Sequence, residues 1–259
     1  MKKLLLIALL IVGCDNSTEP QECTGVSDGT AVEDIDGNCY ATVRLGTQLW
    51  MAENLKVTHY QNGEIITSDL SDEEWANPES GAYAIYPADS STTCEGNCAE
   101  VYGNLYNWYV IDDVREVCPA GWHVPSDEEF IELEMFLSGD ETDSRWTLFN
   151  DFRGEDEGSK LAGNSVLWNS SHYGDGPNDI EDNSAFGTSG FNALPAGRRS
   201  MTGTYHLIGE TAIFWLSSES SLSSGDSQGF SRLLAYPNSM IGRFIDIKQF
   251  GYSIRCIKD

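Results

Sequence analysis

The chain has 259 residues, 40% of them hydrophobic, with seven Trp and ten Phe. That is enough apolar material for one large packed domain or two small ones, and it argues against a disordered tail. Fifteen Lys and Arg against 41 Asp and Glu give a net charge of −26, which repels nucleic acid and anionic headgroups, so no nucleic-acid partner is expected.

Lys2 and Lys3 precede an apolar run of 9 residues, Leu4 to Val12, followed by Gly13 and Cys14. A charged start, a short apolar stretch and a small residue before the cut make a secretory signal. The run is too short for a bilayer, which takes about 20 apolar residues. The segment Ile11-Val12-Gly13-Cys14 resembles a bacterial lipobox. This resemblance implies a signal peptide over 1–13 and lipid on Cys14. The protein is then extracytoplasmic and anchored to a bacterial membrane, with the outer membrane or cell surface as the expected place. A plain signal peptide that happens to end in Cys is the competing reading. Residues 14–33, polar and poor in large apolar side chains, read as a lipidated flexible tether. Residues 34–259 read as one domain.

Strand-like pieces begin at Val32. Tyr40 to Leu45 alternates apolar and polar, Gln48 to Met51 follows Gly46, and Asp36-Gly37-Asn38 is a turn signal. Residues 62–100, rich in Asn, Gly, Ser, Asp and Glu, read as a long loop, and a weak helix is expected over Asn104 to Asp112. The clearest helix starts after Pro125. Ser126 caps it, Glu129 completes a capping box, and Phe130, Leu133 and Leu137 share one face before Gly139 ends it. Asp127, Glu128 and Glu129 fall in its first turn, where the helix dipole favours negative charge. Beyond Gly163, short apolar pieces such as Ala212 to Leu216 and Ser253 to Ile257 read as antiparallel strands between long loops. Neither a repeat nor a βαβ rhythm is present.

Setting Cys14 aside leaves six cysteines, an even number suited to an oxidising compartment. Six allow fifteen pairings. Cys94 and Cys98 flank a tight Glu-Gly-Asn loop, Cys23 and Cys39 flank a Gly/Asp-rich stretch, and Cys118 and Cys256 remain. Zinc is disfavoured, because Cys94-x₃-Cys98 lacks a second ligand pair at finger spacing.

Several segments occur together in a recognisable order. They are Asp34-Ile-Asp-Gly-Asn38, Gln48-Leu-Trp-Met-Ala-Glu-Asn-Leu55, Tyr102-Gly-Asn-Leu-Tyr-Asn-Trp108 and Cys118-Pro-Ala-Gly-Trp-His-Val-Pro-Ser126. Gly190-Phe-Asn-Ala-Leu-Pro-Ala-Gly-Arg198, Phe214-Trp215 and Tyr252-Ser-Ile-Arg-Cys-Ile-Lys-Asp259 complete the set. Together they resemble the Fibrobacter succinogenes major paralogous domain over about residues 34–259. The resemblance implies an exported or lipid-anchored protein of unassigned activity. It also implies an α+β fold, C-type-lectin-like or sulfatase-modifying-like, with short antiparallel strands, one or two helices and long loops. A Cys118–Cys256 bridge would then resemble the long-range bridge of C-type lectins. On the residues themselves, Trp50, Trp108, Trp122 and Trp215 sit among apolar or small neighbours and read as core. Gly121 and Gly197 stand where a turn needs a residue without Cβ.

Catalytic motifs are missing from the sequence. His59, His123, His172 and His206 form no i, i+3 or i, i+4 pair, and neither a nucleophile elbow nor a phosphate loop occurs. His123 reads as a structural hydrogen-bonding group. The formylglycine-generating relatives need reactive cysteines, which a disulfide framework uses up. Asp175, Asn178, Asp179, Glu181 and Asp182 offer oxygens over a short Gly-containing stretch, and Ca²⁺ is the cation such ligands suit. A solvated acidic loop is the rival explanation. His172, Tyr173, Tyr205, His206 and Tyr236 are candidates for stacking on sugar faces, against roles as core or loop anchors. The expectation is a non-catalytic surface binding or adhesion module whose partner is a glycan or an envelope protein. A structural envelope lipoprotein without a small ligand, and an enzyme of unassigned type, are the alternatives.

Overall fold

The computed structural model describes residues 23, 31–88, 94, 96–140, 151–169, 179–221 and 227–259. The expected signal segment and Cys14 lie outside the described residues, as do His172, Tyr173, Asp175 and Asn178. Among the described residues no helix is long and apolar enough to cross a membrane.

Strands β1 (Ala31–Glu33), β2 (Cys39–Leu45) and β3 (Gln48–Met51) are successive antiparallel neighbours. Gly46 and Thr47 close the β2–β3 hairpin and place Val43 opposite Trp50. Strand β1 falls inside the stretch expected to be tether. The turn after it is held by Asp34, whose carboxylate accepts from Asp36 N, Asn38 N and Tyr40 Oη. Strand β13 (Ile257–Lys258) adds to β3, and β6 (Trp122–His123) adds to β13, giving a five-stranded sheet ordered β1-β2-β3-β13-β6. A second antiparallel sheet has the order β10 (Thr211–Ser221), β11 (Ser227–Ala235), β12 (Ile241–Asp246), β7 (Phe152–Arg153). Two small hairpins pair β4 (Tyr83–Ala84) with β5 (Leu105–Tyr106) and β8 (Ala196–Arg199) with β9 (Tyr205–Ile208). The Ser253–Ile257 piece is mostly not strand: Ser253 makes an isolated bridge to Phe214, and pairing resumes only at Ile257.

The expected central helix is present as Asp127–Ser138 with both halves of its capping box and Gly139 in left-handed conformation. It is not joined by the second expected helix. Residues 104–112 instead form β5 and a 3₁₀ turn, Trp108–Val110. The two asparagines that frame this stretch bond distant backbone instead of continuing a helix. Asn104 Nδ2 donates to Lys56 O at 2.8 Å, and Asn107 Oδ1 accepts from Ala82 N at 2.9 Å. Tertiary contacts here override local helix preference. Three further helices exist among the described residues, each of five residues: Asp72–Ala76, Cys98–Tyr102 and Glu157–Leu161. In chain order the four are α1, α2, α3 and α4, more than the one or two expected. They are too short to show a helical period, so burial stabilises them rather than propensity. The supposed loop over 62–100 therefore contains α1, β4 and the start of α2.

One core lies between the sheets and α3, where Trp50 meets Phe130 and Phe191 edge-to-face at 5.5 and 5.7 Å. A second gathers Trp108, Trp122 and Trp215 around the Cys118–Cys256 bridge, and two smaller clusters form about Tyr102 and Trp75. All four tryptophans expected in the core are buried. Disulfides also join Cys23 to Cys39 and Cys94 to Cys98. Gly121 and Gly197 both have positive φ; at Gly197 a Cβ would lie 2.4 Å from His206 O, so β8 and β9 approach through a residue that has none.

Candidate binding groove

A groove of about 690 Å³ opens along β2. Its walls come from segments far apart in sequence: β2 itself, the stretch 52–56 that leaves β3, α2, and the loop over 190–194. Close approach of α2 depends on Gly103, with φ +76°, where a Cβ would fall 2.7 Å from Asn54 Cβ. The polar lining is Thr42, Arg44, Glu53, Asn54, Lys56, Glu100 and Asn192.

These groups are positioned rather than loose. Glu53 Oε1 accepts from Ala41 N at 3.0 Å, and its other oxygen lies 3.5 Å from Lys56 Nζ. Asn54 Nδ2 donates to Tyr102 O at 2.8 Å. Beneath the floor lies Arg255, 1% exposed, sandwiched against Phe191 and Phe214. Its Nε donates to Asn54 Oδ1 at 2.9 Å, its Nη2 to Asn192 O at 2.7 Å, and its Nη1 to Phe191 O. One guanidinium thus fixes both walls through a rigid fork of donors. Burial pushes its pKa down to about 9, with the charge of Glu53 pulling the other way, so it remains a cation at neutral pH.

Other charged clusters are closed. Asp127 and Glu134 project from one face of α3 onto Arg153, Arg232 and Arg243. Arg232 Nε lies 2.7 Å from Glu134 and its Nη1 2.8 Å from Asp127. Burial alone would raise the Asp127 carboxyl, but the bonds and charges of Arg243 and Arg232 outweigh it and hold it low. Asp127 therefore does more than complement the helix dipole: it anchors α3 to β11 and β12. His123 has both ring nitrogens engaged, Nδ1 2.6 Å from Asp259 and Nε2 2.9 Å from Glu129. Burial would lower its pKa, yet bonds to the two carboxylates raise it overall. The ring thus ties β6 to the chain's last residue and to α3.

Of the expected Ca²⁺ ligands, Asp179, Glu181 and Asp182 fall within the described residues. Asp179 is 3% exposed and accepts from Tyr236 Oη at 3.3 Å. Glu181 is half-buried and Asp182 exposed. Among the described residues, the one group of three close metal-type ligands is Cys23, Glu33 and Cys39, and its cysteines are bonded to each other. Of the aromatic candidates, Tyr205, His206 and Tyr236 fall within the described residues. Tyr236 is buried, Tyr205 packs on Tyr86 at 5.2 Å, and exposed His206 lies 2.8 Å from Thr204 Oγ1. Sequence reasoning missed Arg44, Lys56 and Glu100 because their convergence depends on tertiary contacts. The repeated pairing of Asn with Gly in the Gly103-Asn104 and Gly190-Phe-Asn192 segments was the available hint of close backbone approach.

The architecture defines a disulfide-bonded α+β domain, mostly of antiparallel strands, with a polar groove along β2. The sequence profile of the Fibrobacter succinogenes major domain matches residues 43–258, and the chain belongs to that family. No curated protein and no solved structure matches it.

Proposed function

We propose that this is a non-catalytic binding module of a bacterial envelope, lipid-anchored through Cys14, that takes a saccharide in the groove along β2. The carrying observation is the groove itself. Three of the segments that mark the family, 48–55, 102–108 and 190–198, meet there, and a buried arginine holds two of them in register. Planar amide and carboxylate groups alternating with cations suit the vicinal hydroxyls of sugars, which both donate and accept. Three bridges and a double core favour a preformed site, which lowers the ordering cost of binding. The Cys118–Cys256 bridge, joining the chain's middle to its end across 138 residues, supports the C-type-lectin-like reading of the fold. Family membership supports export to the envelope. The engaged nitrogens of His123 argue against its use in acid–base catalysis.

A glycan array probed with the mature domain tests this reading. Binding to at least one saccharide class is expected. It should be lost in Glu100→Trp, a change on the exposed side of α2 that narrows the groove and leaves the melting temperature unaltered. Failure to bind any saccharide would sink the reading. Mass spectrometry of the mature N-terminus should find acyl chains on Cys14; an unmodified Cys14 removes the anchor.

A further inference from the structure

We propose that the groove selects a carboxylate-bearing saccharide, a uronic-acid oligomer, over its neutral counterpart, through Arg44 and Lys56 on its rim. This rests on the saccharide reading above and names the ligand class.

The argument starts from where the cations are. Most of the Lys and Arg among the described residues are unavailable to a ligand. Arg153, Arg199, Arg232, Lys248 and Arg255 are buried. Arg115 and Lys160 are paired to carboxylates at 2.6 to 2.7 Å. Arg44 differs. It is exposed, and among the described residues its guanidinium reaches the main-chain Thr47 O alone, at 3.3 Å. Lys56 meets Glu53 at 3.5 Å, the longer kind of contact that an incoming anion can replace.

Locally the sign reverses. Arg44, Lys56 and the underlying Arg255 stand against Glu53 and Glu100, a cation excess in a chain of net −26. Arg255 has carbonyl and amide partners and no carboxylate bonded to it, so its charge is not cancelled at source. Low-dielectric walls carry that charge toward the floor better than water would. The distant acids matter less, since salt screens exposed charges beyond about 8 Å at physiological strength. An anion entering the groove therefore meets attraction where most of the surface offers repulsion. A saccharide carboxylate also matches the fork of a guanidinium such as Arg44.

Titration calorimetry with trigalacturonate, its fully methyl-esterified form and trimeric glutamate decides the matter. The acid should bind about tenfold more tightly than the ester, the worth of one charge-assisted hydrogen bond. The gap should narrow as salt rises. In Arg44→Gln combined with Lys56→Gln, acid and ester should bind alike with an unchanged melting temperature. Glu53→Gln keeps an acceptor for Ala41 N while removing a charge, and should tighten acid binding. If the ester binds the unaltered protein as well as the acid does, the inference is overturned and the saccharide reading stands. Trimeric glutamate binding as tightly as trigalacturonate overturns it too, since the saccharide then counts for nothing. If none of these and no neutral saccharide binds, the saccharide reading itself falls.

Discussion

His123 shows how one side chain links the chain's end to its central helix. It sits in β6, bonded on one edge to Asp259 and on the other to Glu129 of the α3 capping box. Its folded pKa is raised above 6.5, so its contribution is fully present below 6.5 and fades as pH rises through the raised value. Glu129 behaves oppositely. Burial would raise it, but bonds from Ser126 and His123 hold it below 4.5. Its contribution is present above 4.5 and is lost as pH falls through the lowered value. The pairing is therefore strongest between pH 4.5 and 6.5. Urea midpoints of the unaltered protein and His123→Gln should differ most in that window and converge on raising the pH to 9. A constant difference across the range would show that the ring acts through packing alone.

At the scale of elements, α3 is tied down by charge as well as by its apolar stripe. Glu134 is fully buried, and Arg153 and Arg232 share it. Removing one partner from a buried ion pair costs about 3–5 kcal/mol, because a desolvated charge is left behind. Glu134→Ala should lower the urea midpoint by that measure, against about 1 kcal/mol for Ser126→Ala, which removes only a cap. Equal losses would mean that the ionic layer is no stronger than a surface pair. This contrast marks what the sequence makes legible. The start, end and apolar face of α3 are local features and can be read directly. The β2–β3 hairpin is equally local, with its turn and alternation. The role of Glu134 is not, since its partners lie 19 and 98 residues away. Helix α1 was readable in principle, because Ser71 and Glu74 form a capping box before buried Trp75. The surrounding Asn, Gly and Ser masked it. Residues 104–112 differ from the expected helix because local sequence carries no information about where Asn104 and Asn107 make their hydrogen bonds. The groove was least legible: its residues are individually ordinary, and only the fold brings Arg44, Glu53 and Glu100 together.

For the whole molecule, the three bridges differ in what they constrain. Their partners are separated by 138, 16 and 4 residues. Closing such loops in the unfolded chain is worth about 5, 3 and 2 kcal/mol respectively in the chain-entropy account. Burial in the core adds to the first of these. Cys118 and Cys256 are buried in the core with Trp122 and Ile254, where β13 joins β3 to β6. Cys23–Cys39 pins the approach to β1 at the sheet's edge, and Cys94–Cys98 closes a tight loop at the start of α2. The net charge opposes every one of them, since a chain at −26 repels itself when compact. Double Cys→Ser variants should therefore lose stability in the order Cys118/Cys256, Cys23/Cys39, Cys94/Cys98. Added salt should recover part of each loss by screening that repulsion. Urea melts at low and high salt check both statements. A variant lacking Cys118 and Cys256 that melted no earlier than one lacking Cys94 and Cys98 would show that the long loop is already constrained before folding, by residual structure that brings the chain's middle and end together.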